Sequence, residues 1–165
     1  MKRYYTWLMA LLGMTVLLVS NGLVVTGLTV FDESLLKEFG WSRGELKFRD
    51  FISFAIVAAL APLGGWLLDK VGARRLLITG LAALAVAYLC YSRIQSLYQM
   101  YAIYVLFAAA LLMSGTMVVI VLVSSWFVER RGQAVGIALV DTSFGSFVLS
   151  PLNAVLIESL GWRNT

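Results

Sequence analysis

The chain has 165 residues, of which 61% are hydrophobic and 13% charged, and its net charge is +4. Its mean hydropathy of +0.88 excludes an ordinary soluble domain, because such domains are only about half apolar and about a quarter charged. We attribute the positive charge to membrane topology and not to nucleic-acid binding. Histidine is absent and Cys90 is the one cysteine, so no disulfide, metal site or nucleophilic triad is recognisable. We therefore expect neither an enzyme nor a cofactor.

Uncharged stretches of membrane-spanning length recur along the chain. Charged residues are absent from 4–31, 51–68, 76–92 and 94–128, and 132–157 contains only Asp141. A helix needs about 20 apolar residues to cross about 30 Å of hydrocarbon. The sequence therefore predicts an all-α membrane protein with five transmembrane helices, near residues 5–30, 50–69, 75–92, 97–127 and 133–157.

The first predicted helix follows Lys2 and Arg3, as the apolar core of a signal peptide would. Its uncharged stretch is much longer than such a core, which is about 7–15 residues, so we expect an uncleaved helix. One arc of about 60° carries several polar or small residues at about 100° per residue: Thr15, Gly22, Thr26, Thr29 and Glu33. This arc is suited to line a water-filled cavity. The alternative is that membrane threonines bond to their own backbone and do not contact a substrate.

The turn between the second and third predicted helices concentrates glycines and charges in the segment 64–75. Asp69 would lie at the end of an apolar helix, where a carboxylate is costly unless it is paired or caps another group. It shares a helix face with small or flat residues, so another helix can approach closely there. Gly72 suits a sharp turn, and the basic residues suit contact with anionic lipid. The alternative is that these charges only set topology, with Asp69 solvated.

This segment matches the pattern Gly-x-x-x-Asp-Arg/Lys-x-Gly-x-Arg/Lys-Arg/Lys at every position: Gly65, Asp69, Lys70, Gly72, Arg74 and Arg75. It resembles the signature loop between helices 2 and 3 of the major facilitator superfamily of secondary transporters. The resemblance implies the N-terminal half of a 3+3 inverted-repeat fold that works by alternating access. It also implies that the loop controls how the two halves of the transporter meet.

Two later segments resemble one branch of that superfamily, the monocarboxylate porters and the related oxalate/formate exchangers. They are the link at 126–132 and the stretch 135–163, which ends in Gly-Trp-Arg. The fourth predicted helix lacks the arginine typical of sugar transporters, and the fifth lacks the Gly-Pro pair of drug exporters; both absences fit this branch. One departure is Glu33, which stands where the porters commonly have a lysine. The reversed charge puts a carboxylate-plus-proton mechanism in doubt.

Asp141 is the one charged residue inside the fifth predicted helix. At about 1.5 Å per residue it lies roughly 13–15 Å from Arg130 and Arg131, near the middle of the membrane. An ionisable residue at that depth is a candidate for proton or substrate handling. The alternatives are a buried structural hydrogen bond and exposure to lipid. A polar arc that includes Ser146 and Asn153 begins about 100° away and could line a cavity.

We therefore expect residues 1–165 to be an incomplete N-terminal bundle, five of twelve expected helices, whose partners are lipid and a missing C-terminal half. The resemblance implies transport of a small organic anion such as a monocarboxylate, with proton coupling or anion exchange. It places the protein in the cell (inner) membrane with a cytoplasmic N-terminus. The alternatives are an exporter of other organic solutes and a small non-transporting membrane subunit. The candidate pathway residues are Asn21, Thr26, Glu33, Asp141, Ser146 and Asn153.

Overall fold

The structure, a computed structural model, describes residues 2–127 and 130–161; for residues 2–6, 25–27, 141–143, 146 and 160 it describes the backbone alone. Within these residues all regular secondary structure is helical, as predicted. The helices are α1 (Lys2–Leu17), which continues as a π-helix (Leu18–Gly27) and a short α2 (Leu28–Val30), then α3 (Asp32–Phe39), α4 (Arg43–Val71), α5 (Ala73–Tyr91), α6 (Leu97–Ser114), α7 (Thr116–Trp126), α8 (Arg131–Ala138) and α9 (Asp141–Leu160).

Four helical units of the described chain are long and apolar enough to cross a membrane: Trp7–Val30, Arg43–Val71, Ala73–Tyr91 and Leu97–Trp126. They coincide with the first four predicted helices. The second begins at Arg43 rather than near residue 50, because Ser42 forms a capping box. Its hydroxyl accepts a hydrogen bond from the Glu45 N–H, 3.2 Å away, and the Glu45 carboxylate accepts one from the Ser42 N–H at 2.8 Å. These bonds satisfy backbone groups that would otherwise have no partner.

The fifth predicted helix is two helices, α8 and α9, which meet at Leu139 and Val140. The Val140 N–H donates to the Ile137 carbonyl at 3.3 Å, three residues back, so the chain tightens locally as in a 3₁₀ turn. The fourth unit is also interrupted, at Gly115 between α6 and α7. Two of the predicted membrane helices are therefore interrupted within their length, and both breaks lie beside the first helical unit.

The helices pack into one bundle with two apolar clusters. α6 packs against both α4 and α5, the π-helix packs against α9, and α1 packs against α7 and α8. One cluster, around Leu35, Leu84 and Phe107, lies toward α3. The other, around Leu17 and Val119, lies toward the turn between α4 and α5. Large apolar side chains are left exposed on most of the helices; on α4, Phe51 and Phe54 are each 65% exposed.

Gly80 provides a test of the packing between α5 and α6. A Cβ atom at this position would lie 2.8 Å from both the Cβ of Met113 and the backbone N of Ser114. We expect Gly80→Ala to lower the free energy of unfolding by about 1–3 kcal/mol, because the backbone of α6 would have to move. Gly136→Ala is the matched control, since nothing lies within 4 Å of its added Cβ. In detergent, the melting temperature should fall clearly for Gly80→Ala and stay unchanged for Gly136→Ala. Equal melting temperatures for the two variants would contradict the close α5–α6 contact.

Candidate functional site

A cavity of about 360 Å³ lies between the π-helix, α4 and the junction of α6 and α7. One part of its wall is apolar and includes Val24, Leu28, Phe54 and Val57. Hydrogen-bonding or charged side chains are contributed to the lining by Asn21, Thr29, Arg49, Asp50, Ser53, Tyr104 and Thr116. An apolar pocket with a few convergent polar groups is the usual form of a small-molecule site.

Irregular backbone brings two of these polar residues together. The Asn21 amide, on the π-helix, donates to the Thr116 hydroxyl at 3.1 Å, directly after the break at Gly115. The N–H of Gly115 donates a hydrogen bond to the Leu111 carbonyl oxygen. Glycine is required at this position, because a Cβ atom would collide with that oxygen. π-Helical segments occur frequently at functional sites. Non-helical backbone inside a membrane is tolerated where it lines a cavity or is buried in protein.

Arg49 is the charged group at one end of the cavity, and its side chain is completely buried. Its Nη2 is paired with an oxygen of Asp32, its Nε lies 3.4 Å from Oδ1 of Asp50, and its Cζ lies 4.9 Å from the ring centre of Tyr104. Lys47 joins the same cluster from the surface, with Nζ 3.6 Å from Asp32 and 3.3 Å from Asp50. A buried guanidinium is tolerated because these carboxylates and the aromatic face compensate its lost hydration.

The Nη1 of Arg49 is different from its other nitrogens. It is buried and has no hydrogen-bond partner among the residues that the structure describes. Buried N–H groups are normally satisfied, and a missing bond is costly near a charge. Arg49 therefore keeps an unused donor in a residue that lines the cavity.

Sequence reasoning does not identify Arg49, because the uncharged stretch that predicts the second helix begins two residues after it, at residue 51. A usable signal was present. Arg49, Ser53 and Val57 follow one another at four-residue intervals and run into the uncharged stretch 51–68. Such spacing puts the three on one helix face, and all three line the cavity.

The predicted pathway residues are distributed over several places. Asn21 lines the cavity, as does Thr29 of the predicted threonine arc. Glu33 is exposed and borders a separate charged groove with Asp32 and Lys47. Asn153 is buried on α9 and is absent from the cavity lining.

The side chains of Thr26, Asp141 and Ser146 lie outside the described residues. The backbones that carry them adjoin one another, since the π-helix packs against α9. A Cβ built on Gly145 would lie 3.2 Å from the Cα of Gly22, so the two helices touch there. The face of α9 that carries Gly145 therefore meets the first helical unit.

The signature loop forms a tight turn. α4 ends at Val71 and α5 begins at Ala73, with Gly72 at a positive φ of 85° donating its N–H to the Leu68 carbonyl at 3.0 Å. Lys70 places its Nζ 4.7 Å from the ring centre of Trp66. Asp69, Arg74 and Arg75 are exposed. In the described part of the chain, Asp69 makes no ion pair.

The helix face that ends in Asp69 is uncovered along its length. Ala58 and Pro62 are exposed and Gly65 is half-buried. A Cβ on Gly65 would meet only the Cε of Met117, at an ordinary 3.6 Å. The neighbouring Gly64 is buried, and a Cβ there would lie 2.9 Å from the Cγ of Leu112. The close approach within this bundle is thus made at Gly64, and the face of Gly65 has room for a side chain.

Among the described residues, no group of three or more histidine, cysteine or acidic side chains could hold a metal ion.

The comparisons with known proteins concern the chain as a whole. Residues 5–165 match the family model described as Major Facilitator Superfamily. A mouse protein named Monocarboxylate transporter 14 is 29% identical over 167 residues, and the human protein of the same name is 26% identical over 162 residues. Each alignment covers 97% of this chain and 31% of the relative, so the chain spans under a third of those proteins.

Proposed function

Because the chain belongs to the major facilitator superfamily, we propose that it is the N-terminal part of a secondary transporter that moves a small organic anion, such as a monocarboxylate. The observation that carries the proposal is the cavity between three membrane-spanning units, with the buried cation Arg49 at one end. A buried cation beside an apolar wall favours a ligand with one negative group and a short carbon chain. The names of the two relatives point to the same substrate class.

Alternating access accounts for the uncovered face of α4. In this type of transporter the substrate binds near mid-membrane, between two pseudo-symmetric halves that rock about it. The exposed Ala58 and Pro62 and the half-buried Gly65 offer the flat surface that a helix of a second half would contact. The length of the relatives is compatible with such a half, since the aligned region is 31% of each. We propose that this second half, the lipid bilayer and protons complete the working transporter.

Uptake by the complete polypeptide tests the proposal. Liposomes containing it should take up lactate, pyruvate, oxalate or formate saturably, and an inward proton gradient or a preloaded anion should drive that uptake. Lactamide, which replaces the carboxylate of lactate by a neutral amide, is the matched control solute and should be taken up poorly. Saturable uptake of neutral solutes only would contradict anion transport and favour an exporter of other organic solutes. Absence of uptake for every solute would favour the non-transporting subunit.

For proton coupling we propose Asp141, the first residue of α9, directly after the turn at Leu139 and Val140. Asp141→Asn should abolish the dependence of uptake on a proton gradient and leave anion exchange intact, because asparagine cannot carry a proton. Glu158→Gln is the matched control, since Glu158 is an exposed acid on the same helix, and it should behave as the unmodified protein. A joint loss of exchange, gradient-driven uptake and stability in Asp141→Asn would favour the structural role of Asp141.

We propose that the N-terminus and the signature loop lie on the cytoplasmic side of the cell membrane. Arg74 and Arg131 would then be cytoplasmic, whereas Arg43 and Arg93 would be on the other side. Single cysteines at these positions, in a Cys90→Ser background, should react with an impermeant maleimide from opposite sides. Labelling of positions 43 and 74 from the same side would contradict a span between them.

A further inference from the structure

We propose that Arg49 binds the carboxylate of the transported anion, and that Asp32 occupies the same guanidinium when no anion is bound. This inference rests on the proposed function and assigns recognition of the negative group to α4. Arg49 has one hydrogen-bond donor without a partner among the described residues. A guanidinium has five N–H groups in a planar fork that matches a carboxylate. Asp32 and Asp50 engage Nη2 and Nε, whereas Nη1 has no partner in the described chain.

The surroundings of Nη1 favour a strong bond to an anion. Arg49 is completely buried and lines the cavity, so its guanidinium is shielded from water. Charge-assisted hydrogen bonds are strongest in such surroundings. The volume of about 360 Å³ accommodates a small organic acid. Leu28 and Phe54, which line the same cavity, would contact its carbon chain.

The charges of the ion-paired cluster around Arg49 balance one another. Two cations, Arg49 and Lys47, face two carboxylates, Asp32 and Asp50, so the ion-paired cluster is neutral as a set. The other ionisable side chains beside Arg49 are the phenols of Tyr91 and Tyr104. A bound anion would add one negative charge, which is costly unless a carboxylate leaves the guanidinium.

Asp32 is the carboxylate that can leave. It begins α3, a separate short helix that follows the first span and is not continuous with α4. Asp50 is the next residue after Arg49 on the same helix and is held beside it by the chain. Movement of Asp32 toward water would expose a second nitrogen of Arg49, so that the anion could bind to both. Occupation of Arg49 by Asp32 and by the anion would therefore be mutually exclusive.

The test compares variants of the complete polypeptide in liposomes, with lactate as the probe and lactamide as its neutral analogue. Arg49→Gln should raise the KM for lactate by roughly 10- to 100-fold, the effect expected from losing a hydrogen bond to a charged group. It should also remove the preference for lactate over lactamide. Arg49→Lys should give a KM between those of the unmodified protein and Arg49→Gln, because lysine keeps the positive charge and lacks the planar guanidinium fork. Lys47→Gln removes the same charge from the same cluster, but Lys47 is exposed and does not line the cavity, so it should change KM by less than about threefold.

Asp32→Asn separates this proposal from a merely structural ion pair. If Asp32 competes with the anion, its removal should lower the KM for lactate. If the pair only holds α3 against α4, Asp32→Asn should lower the melting temperature and leave KM unchanged, and that result would overturn the inference. An unchanged KM in a folded Arg49→Gln protein would overturn it too. Should Arg49→Gln fail to fold, the KM values of Arg49→Lys and Asp32→Asn decide the matter.

The failure of this inference differs from the failure of the proposed function. A protein that transports lactate equally well with and without Arg49 would remain an anion transporter whose carboxylate site lies elsewhere. A protein that neither binds nor transports any carboxylate would overturn both.

Discussion

Gly65→Leu in the complete polypeptide should abolish transport and leave the melting temperature nearly unchanged, whereas Gly64→Leu should lower the melting temperature. The two glycines are neighbours on α4, and about 100° of helix rotation separates their faces. A side chain on Gly64 would collide with Leu112 inside this bundle, since even a Cβ would lie 2.9 Å from its Cγ. A side chain on Gly65 would meet only the flexible end of Met117, at 3.6 Å. The leucine at 65 would project instead along the uncovered face that ends in Asp69.

The comparison works because each variant is the control for the other. Overpacking in a close helix contact costs about 1–3 kcal/mol, so Gly64→Leu should show a clear loss of stability in detergent. Gly65→Leu should affect transport through the contact between halves, which changes during the cycle. Asp69→Asn removes the charge at the end of the same face and should reduce transport with normal membrane insertion. Normal transport in both Gly65→Leu and Asp69→Asn would leave the signature loop with a topological role only.

Much of the fold follows from the distribution of charge. Uncharged stretches of about 20 residues are stable in a membrane only as helices, so the class and the first four helical units could be predicted without further information. The start of the second unit was harder, because charged residues fill its first two turns. Helix formation there is decided by the capping box of Ser42 and Glu45, a local signal that hydropathy does not detect.

The candidate site was only partly predictable, because it depends on which helix faces meet. Periodicity placed Thr29 on a polar arc, and it does line the cavity. The break between α8 and α9 falls at Leu139 and Val140, and neither residue is a proline or a glycine that would mark it. Arg49 was overlooked because a charge near a helix end is usually solvated, whereas packing between α3, α4 and α6 buries this one. Burial of that kind is a tertiary property.

The 165-residue chain alone should enter membranes and show no saturable uptake of lactate, pyruvate, oxalate or formate at any imposed proton gradient. The cavity is walled by the first helical unit, α4 and the α6–α7 junction, which is one side of the pathway expected between two halves. Helix association in lipid depends on close contacts and not on a hydrophobic effect between helices. The uncovered α4 face should therefore leave the isolated bundle loosely packed or prone to self-association.

The complete polypeptide, reconstituted at the same protein-to-lipid ratio, is the positive control for that experiment. Insertion of the chain is checked separately by resistance to carbonate extraction, so that a negative result reflects lost transport and not lost insertion. Alternating access requires one half of the transporter to rock against the other. The isolated 165 residues have no second half against which to move. Polar cavity residues such as Asn21 and Thr116 would then open toward lipid, where unsatisfied polar groups are poorly tolerated. Saturable, inhibitor-sensitive uptake by the 165 residues would contradict the two-half mechanism and require that this cavity alone conducts the substrate.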